Sequence, residues 1–262
     1  MGGIHYLHST TSTNRVAYDL ALKGEPEGTG VIADAQGEGR GRLGKIWQSP
    51  PGKGLYCSVI VRPHIAVEDY PKITLTAGLA VAIALEEVSG LEMRLKWPND
   101  VLTGSKKCCG ILTESSSLTE NVSERFAIVG IGINVNSELI DFSPELREKV
   151  TSLRILSGRE YNIKNIFDRV RAHLLERLTQ LESGGFPGIL NDWRKRDMLA
   201  GKWLQWVSTS GEIIYGQSEG PDDSGRLLVK DRDGKIHQIL SGDIGLANKI
   251  LEKRMSVSKK SP

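Results

Sequence analysis

The chain has 262 residues, 39% of them hydrophobic, enough for one large core or for a main domain with a small companion. Lys and Arg total 34 against 32 Asp and Glu, and the net charge of +2 excludes a surface that holds nucleic acid along its whole extent, so any electrostatic task is local. Three cysteines (Cys57 and the adjacent Cys108 and Cys109) and five scattered histidines form neither a disulfide framework nor a zinc or H-x-x-x-H motif, so no metal held by the protein alone is expected.

The first residues have neither a basic nor an apolar leader segment, and the longest mostly apolar run, residues 78–85, is far short of the ~20 that a membrane span requires. A cytoplasmic protein without a membrane partner is the expectation. The pattern then predicts a strand at 4–8, followed by a helix capped by Ser12 or Thr13 with Val16, Ala17, Leu20 and Ala21 on one face. A strand at 29–35 runs straight into G-E-G-R-G-R-L-G-K-I-W, residues 37–47. Another strand at 54–63 is stopped by Pro63, and a long helix runs from about Pro71 to Glu87.

Strand-like pieces follow at 91–97, 107–114 and 125–135, with a turn signal at Gly104 and Ser105. Ile166, Phe167, Val170, Leu174, Leu178 and Leu181 recur at the spacing of a core-facing helix. Beyond about Asp197 come short strand-like pieces at 202–208, 212–220, 225–231 and 235–243, separated by Gly-rich and Asp-rich turns. They predict a small all-β barrel or sandwich attached to an α+β domain. The domain reading is 1–198, 199–253 and a tail at 254–262.

Residues 37–47 nearly match two nucleotide signatures. Gly39, Gly41 and Gly44 fit G-x-G-x-x-G, and Gly39, Gly44 and Lys45 fit G-x-x-x-x-G-K. Both signatures need a helix directly after the last glycine. Here Pro50, Pro51, Gly52 and Gly54 leave no room for one, and Ile46 replaces the hydroxyl residue that would bind Mg²⁺ in a P-loop. What remains is a glycine-rich loop carrying Arg40, Arg42 and Lys45, suited to clamping a polyanion with side-chain cations and backbone N–H groups. On charge alone, a solvated basic loop is the favoured explanation.

Three further motifs are each ordinary in isolation. K-W-P-N-D at 96–100 places Lys96, Asn99 and Asp100 at a strand end with Pro98 fixing the bend. S-K-K-C-C-G-I-L puts Lys107 at the start of a strand, three residues before Gly110. G-I-G-I-N at 130–134 leaves space over a strand and ends on Asn134. Together, and with S-T-N at 12–14 and Gln36, these pieces resemble the biotin–protein ligase family over essentially the whole chain.

That resemblance implies a class II aminoacyl-tRNA-synthetase-like catalytic domain, a mixed sheet with helices, followed by a small SH3-like β-barrel. It implies that biotin attacks the α-phosphate of ATP, accompanied by Mg²⁺, to give biotinoyl-5′-AMP and pyrophosphate. A lysine of a biotin carboxyl carrier protein, of the acetyl-CoA carboxylase type, then takes the biotin. Residue by residue, Ser12, Thr13, Asn14, Gln36, Gly39, Arg40, Gly41, Arg42 and Gly110 match the biotin site. Lys107 matches the lysine between biotin and phosphate, with Arg40 and Arg42 as further cations for the reacting groups. Arg42, Lys45, Trp47, Asn99, Asp100, Lys107 and Asn134 match the ATP side.

Two departures stand out. Leu43 occupies a position where many members have arginine, and Lys45 keeps a charge but not the bidentate fork. Cys108 and Cys109 stand where small or apolar residues are usual and read as buried small hydrophobes. The chain starts close to the first catalytic strand, so the short form without an N-terminal helix-turn-helix is expected, with no operator binding; a homodimer through sheet edges is compatible with the pattern. A lipoate ligase, a non-catalytic biotin sensor and a dinucleotide oxidoreductase are the competing readings.

Overall fold

A computed structural model describes residues 2–116, 125–207, 213–240 and 243–246. β1 (Ile4–Thr10), α1 (Thr13–Leu22) and β2 (Gly30–Gln36) start the sheet, with β1 and β2 parallel. Ser12 is the N-cap of α1 with extended backbone, but its hydroxyl makes no capping bond. Ala17 and Ala21 are buried on Val31, Ile60, Phe126 and Ile128 because their small side chains let the helix lie close to the sheet.

The chain crosses residues 37–53 into β3 (Gly54–Val61), every residue of which is buried. α2 (Tyr70–Ser89) begins with Pro71 in its first turn and ends at Gly90, which has a φ of 72° and donates its N–H to Glu86 O. α2 is buried along most of its length, lying between the sheet and the amphipathic α4 described below, so it carries no polar stripe. β4 (Met93–Lys96), β5 (Asp100–Thr103), β6 (Lys106–Ser115) and β7 (Ala127–Asn134) then form an antiparallel run. The seven-stranded mixed sheet has the order β1-β2-β3-β7-β6-β5-β4, with β7 at its centre.

Two helices complete this layer beside α4 (Ile163–Glu182). They are α3 (Leu153–Ser157), capped by Ser152, and α5 (Phe186–Arg194). All six apolar positions of the α4 stripe are buried. A second, antiparallel sheet follows: β8 (Trp203–Val207), β9 (Ile213–Pro221), β10 (Leu227–Lys230), β11 (Ile236–Ile239) and β12 (Asp243–Leu246), ordered β11-β10-β9-β8-β12. The α+β architecture with a small β unit matches the sequence expectation, but several details differ. Asp100 opens a strand of its own rather than ending one, because Trp97 to Asn99 make the turn between β4 and β5. α3, α5 and β12 were not legible in the pattern. α5 is short and follows Gly184 and Gly185, although Phe186, Ile189, Leu190 and Trp193 have helical spacing and are buried. The tail at 254–262 lies outside the described residues.

Polar contacts cross the junction of the two sheets beside the apolar core that they share. Arg194 donates from Nε and Nη2 to Pro221 O at 3.1 and 2.6 Å, and Gly201 N–H donates to Ser218 O at 2.9 Å. Asp197 is 8% exposed, and its Oδ1 accepts the Leu199 N–H at 2.8 Å while Oδ2 has no hydrogen-bond partner. Burial pushes its carboxyl up to about 6, against the weaker pull of the Leu199 N–H and of Lys202. A raised folded-state value means that the native state holds the proton more tightly. Stability contributed by this group is therefore present near pH 4 and lost as pH rises through 6. Asp197→Asn keeps the Leu199 bond and removes the buried charge. It should stabilise the protein at pH 8 by on the order of 2 kcal/mol, with the difference from wild type vanishing near pH 4, as read by urea unfolding at both pH values.

Candidate functional site

The loop 37–53, the turn at 97–99, the central strands β6 and β7, and the segment 142–150 surround one cavity of about 610 Å³. The glycine-rich loop folds back on itself. Trp47 N–H donates to Gly39 O at 2.8 Å, Gly41 N–H donates to Lys45 O at 2.7 Å, and Arg40 bridges Ile46. A Cβ on Gly39 would collide with Trp47 O, so glycine is required for this close return. At the tip, Arg42–Gly44 make a single 3₁₀ turn in which Leu43 has a left-handed φ of 56°. No helix follows Gly44 before residue 67, so neither nucleotide signature has its structural context.

One end of the cavity is a neutral hydrogen-bonding corner. Thr13 donates from N and Oγ1 to Gln36 Oε1 at 2.9 and 3.1 Å, and Gln36 Nε2 donates to Ser49 Oγ at 3.0 Å. Ser58 Oγ lies 2.6 Å from Asn14 Oδ1, to which it donates, and 2.8 Å from the Thr13 hydroxyl. Asn14 Nδ2 donates to Glu114 Oε2 at 2.6 Å and to Leu112 O at 3.3 Å. Both ends of the Asn14 amide thus have protein partners, and the residue ties α1 to β3 and β6. Ser12, Thr13 and Gln36 complete the wall there.

The other end is cationic. Lys107 Nζ is 2.6 Å from Asp100 Oδ1 and 5.2 Å from the centroid of the Trp47 ring, a cation–π distance. Arg40 Nη1 is 3.7 Å from Glu114 Oε1, and Arg40, Arg42 and Lys45 line the cavity. Lys107 is fixed through its backbone as well: its N–H donates to Lys149 O at 3.0 Å and its carbonyl accepts the Thr151 N–H at 2.9 Å. Asn99 Nδ2 donates to Ile111 O at 2.7 Å, and Asn134 Nδ2 donates to Thr151 O at 3.0 Å, so both amides brace backbone beside the cavity.

The alternation in G-I-G-I-N has a direct reading. Ile131 and Ile133 enter the core, while Gly130 and Gly132 face the cavity side. A Cβ at Gly130 would strike the Asn14 amide, and one at Gly132 would strike the Trp47 indole at 2.5 Å. Gly110, on β6, is likewise covered by Trp47 and Lys107. The three cysteines are buried, and burial pushes their thiols up, Cys108 to about 12.

Of the residues singled out from sequence, Ser12, Thr13, Asn14, Gln36, Arg40, Gly41, Arg42, Lys45, Trp47, Asn99, Asp100, Lys107, Gly110 and Asn134 all border this cavity, and Gly39 shapes the loop from behind. Sequence reasoning missed Ser58 and Glu114, which hold Asn14, and Phe142, Leu146 and Val150 on the far wall. It also missed Gln205 and Val207, which bring the small sheet to the cavity edge. The period-two alternation of β8 marks those two as one face, but no local pattern says what that face meets.

A mixed α+β sheet with a neutral polar corner and a cluster of cations in one cavity defines a site for holding and activating an anionic small molecule. Residues 6–134 match the Biotin/lipoate A/B protein ligase family and residues 207–246 the Biotin protein ligase C terminal domain. The bifunctional ligase/repressor BirA of Bacillus subtilis is 37% identical over 90% of this chain and 71% of its own. The biotin–[acetyl-CoA-carboxylase] ligase of Mycobacterium tuberculosis is 31% identical over 90% of this chain and 85% of its own. Among solved structures, the biotin protein ligase from Aquifex aeolicus in complex with biotin and ATP superposes with a TM-score of 0.80 at 30% identity, covering 94% of this chain and 99% of that one. The chain belongs to the biotin–protein ligase family.

The contact between Gly132 and Trp47 is testable without any substrate. Gly132→Ala should displace the indole into solvent and red-shift the tryptophan emission. The same substitution in a Trp47→Phe background should give no shift, because the other tryptophans do not face Gly132.

Proposed function

We infer that the protein joins biotin to a lysine of a biotin carboxyl carrier protein at the expense of ATP. The observation that carries this is the cavity itself: cations gathered beside Lys107 next to a neutral corner, in a chain of this family. A biotin carboxylate oxygen attacks the α-phosphorus of ATP, the bond to the bridging oxygen breaks, and pyrophosphate leaves with its electron pair. In the second step the carrier lysine amine attacks the acyl carbon of biotinoyl-5′-AMP, loses a proton, and AMP leaves.

The first step brings two anions together, and its charge grows on phosphate oxygens, so fixed cations lower the barrier. Lys107 meets the carboxylate and the α-phosphate, and Asp100 holds its ammonium in place at 2.6 Å. Arg40 and Arg42 add bidentate donors from the loop, and Lys45 adds a point charge on the phosphate side. Ser12, Thr13 and Gln36 hydrogen-bond the ureido group, while Asn14 fixes the wall behind them through Ser58 and Glu114. Gly39 and Gly41 let the loop fold back on itself, and Gly110 lets Trp47 and Lys107 lie against β6, which shapes the wall the ring system meets. Trp47 packs on the adenine, and Asn99 and Asn134 keep the nucleotide side in shape.

Mg²⁺ arrives with ATP. Asp100, the carboxylate beside Lys107, would help to hold it, and among the described residues no cluster of three or more metal-ligating side chains stands ready to hold a metal alone. The cytoplasm suits the buried free thiols, and no helix among the described residues is long and apolar enough to cross a membrane. Nucleic acid is outside this reading, given the net charge of +2. Self-association by strand pairing would use β1, because the outer edge of β4 is covered where Leu95 pairs with Arg196 and Met198.

The protein should catalyse ATP–pyrophosphate exchange that depends on biotin and not on lipoate, and a carrier domain given biotin and MgATP should gain one biotinoyl mass. Exchange at the same rate without biotin rejects the assignment. Lys107→Ala should lower the exchange rate by about 10²–10³-fold, the loss typical of one group removed from a developing anion. Arg42→Ala should shorten the lifetime of bound biotinoyl-5′-AMP, followed by its release into solution; unchanged retention argues against a clamp.

A further inference from the structure

The small sheet meets the cavity directly through Gln205 and Val207, and it also grips the turn at 97–99 that leads into Asp100 on β5. Trp97, in that turn, is 3% exposed, and its Nε1 donates to the carbonyl of Gly225 at 2.9 Å. Gly225 lies in the turn between β9 and β10, has a φ of +80°, and rests against Leu75 of α2. Asp222 builds that turn. Its Oδ1 accepts the N–H groups of Ser224 and Arg226 at 2.9 Å each, and its Oδ2 accepts Arg226 Nε at 2.9 Å. Gly225 N–H closes the turn onto Asp222 O at 2.9 Å.

From Trp97 the path to the reacting region is short. Asn99, two residues on, exchanges hydrogen bonds with Ile111 of β6 at 2.7 and 3.0 Å. Asp100, next in sequence, holds Lys107 at 2.6 Å. The neutral corner at Thr13, Gln36 and Ser58 sits on other elements and shares none of these bonds.

We propose that Trp97 is a positioning residue: clasped by the Asp222–Arg226 turn of the small sheet, it sets the Asp100–Lys107 pair for the adenylation step. This rests on the reading of Lys107 above. A phenylalanine at this position keeps the buried ring but leaves the Gly225 carbonyl without its donor, so the turn can drift. Small misplacements of a reacting group cost rate rather than ground-state binding when the binding contacts lie elsewhere.

The test is steady-state biotin-dependent ATP–pyrophosphate exchange on the full chain, with thermal unfolding in parallel. Trp97→Phe should lower kcat by about tenfold and leave the KM for biotin within about twofold. Asp222→Ala should do the same without altering Trp97, and the double variant should lose no more than the stronger single one, because both act through one contact. Asp231→Ala is the control. It loosens the analogous turn between β10 and β11, where Asp231 accepts the N–H groups of Asp233 and Lys235, and should leave kcat unchanged. Unchanged kcat in Trp97→Phe, additive losses in the double variant, or an equal loss in Asp231→Ala would each overturn the proposal. Should Trp97→Phe fail to fold, Asp222→Ala against Asp231→Ala decides alone. A wild-type protein without biotin-dependent exchange rejects the ligase reading, and Trp97 is then judged by whether Trp97→Phe and Asp222→Ala shift the unfolding midpoint non-additively.

Discussion

The site depends on β7 being bare at Gly130 and Gly132 on one face and fully apolar on the other. As the central strand, β7 is paired along both edges, to β3 and to β6, so its backbone groups are satisfied and its position is rigid. Ile131 and Ile133 anchor it in the core, and Gly130 and Gly132 leave a floor on which the Asn14 amide and the Trp47 indole lie. A methyl group at either glycine would lift one of these side chains, and with it one wall of the cavity. The floor is rigid because the strand is buried and paired, and it is open because two side chains are missing.

On that floor the two ends of the cavity are organised by opposite physical means. The neutral corner is a hydrogen-bond network in which Gln36, Thr13, Ser58 and Asn14 satisfy one another and Asn14 also donates to Glu114, so burial leaves none of these four unpaired. The cationic end sets Lys107 beside a carboxylate and an aromatic face, while Arg40, Arg42 and Lys45 sit on a loop rather than on the sheet. A fixed cation on rigid backbone and further cations on a glycine-rich turn form a site that can admit a polyanion and then surround it.

The small sheet is therefore part of the site's architecture. It supplies Gln205 and Val207 at the cavity edge, receives Arg194 from α5 on Pro221 O, and receives Trp97 on Gly225 O. Asp197 at the same junction carries a desolvated carboxylate, a cost the fold tolerates where the chain passes from one sheet to the other.

Much was legible from local pattern. Strand alternation, the α4 stripe, the glycine-rich loop and the absence of a helix behind Gly44 are properties of neighbouring residues, and the motifs at 12–14, 36–47, 96–100, 107–112 and 130–134 marked nearly every cavity residue. Less was legible where partners are distant in sequence. Nothing near Asn14 announces Glu114 or Ser58, nothing near Lys107 announces Thr151, and nothing near Trp97 announces Gly225. By itself, the sequence determined which residues could carry charge, bend the backbone or leave space, because those are properties of each side chain and its period. Only the tertiary structure decided that Asp100 faces Lys107, that Asn14 is satisfied by protein, and that the small sheet holds the turn at 97–99. Those pairings arise from packing strands, helix and the second sheet around one core, and burial constrains residues by distance in space rather than along the chain.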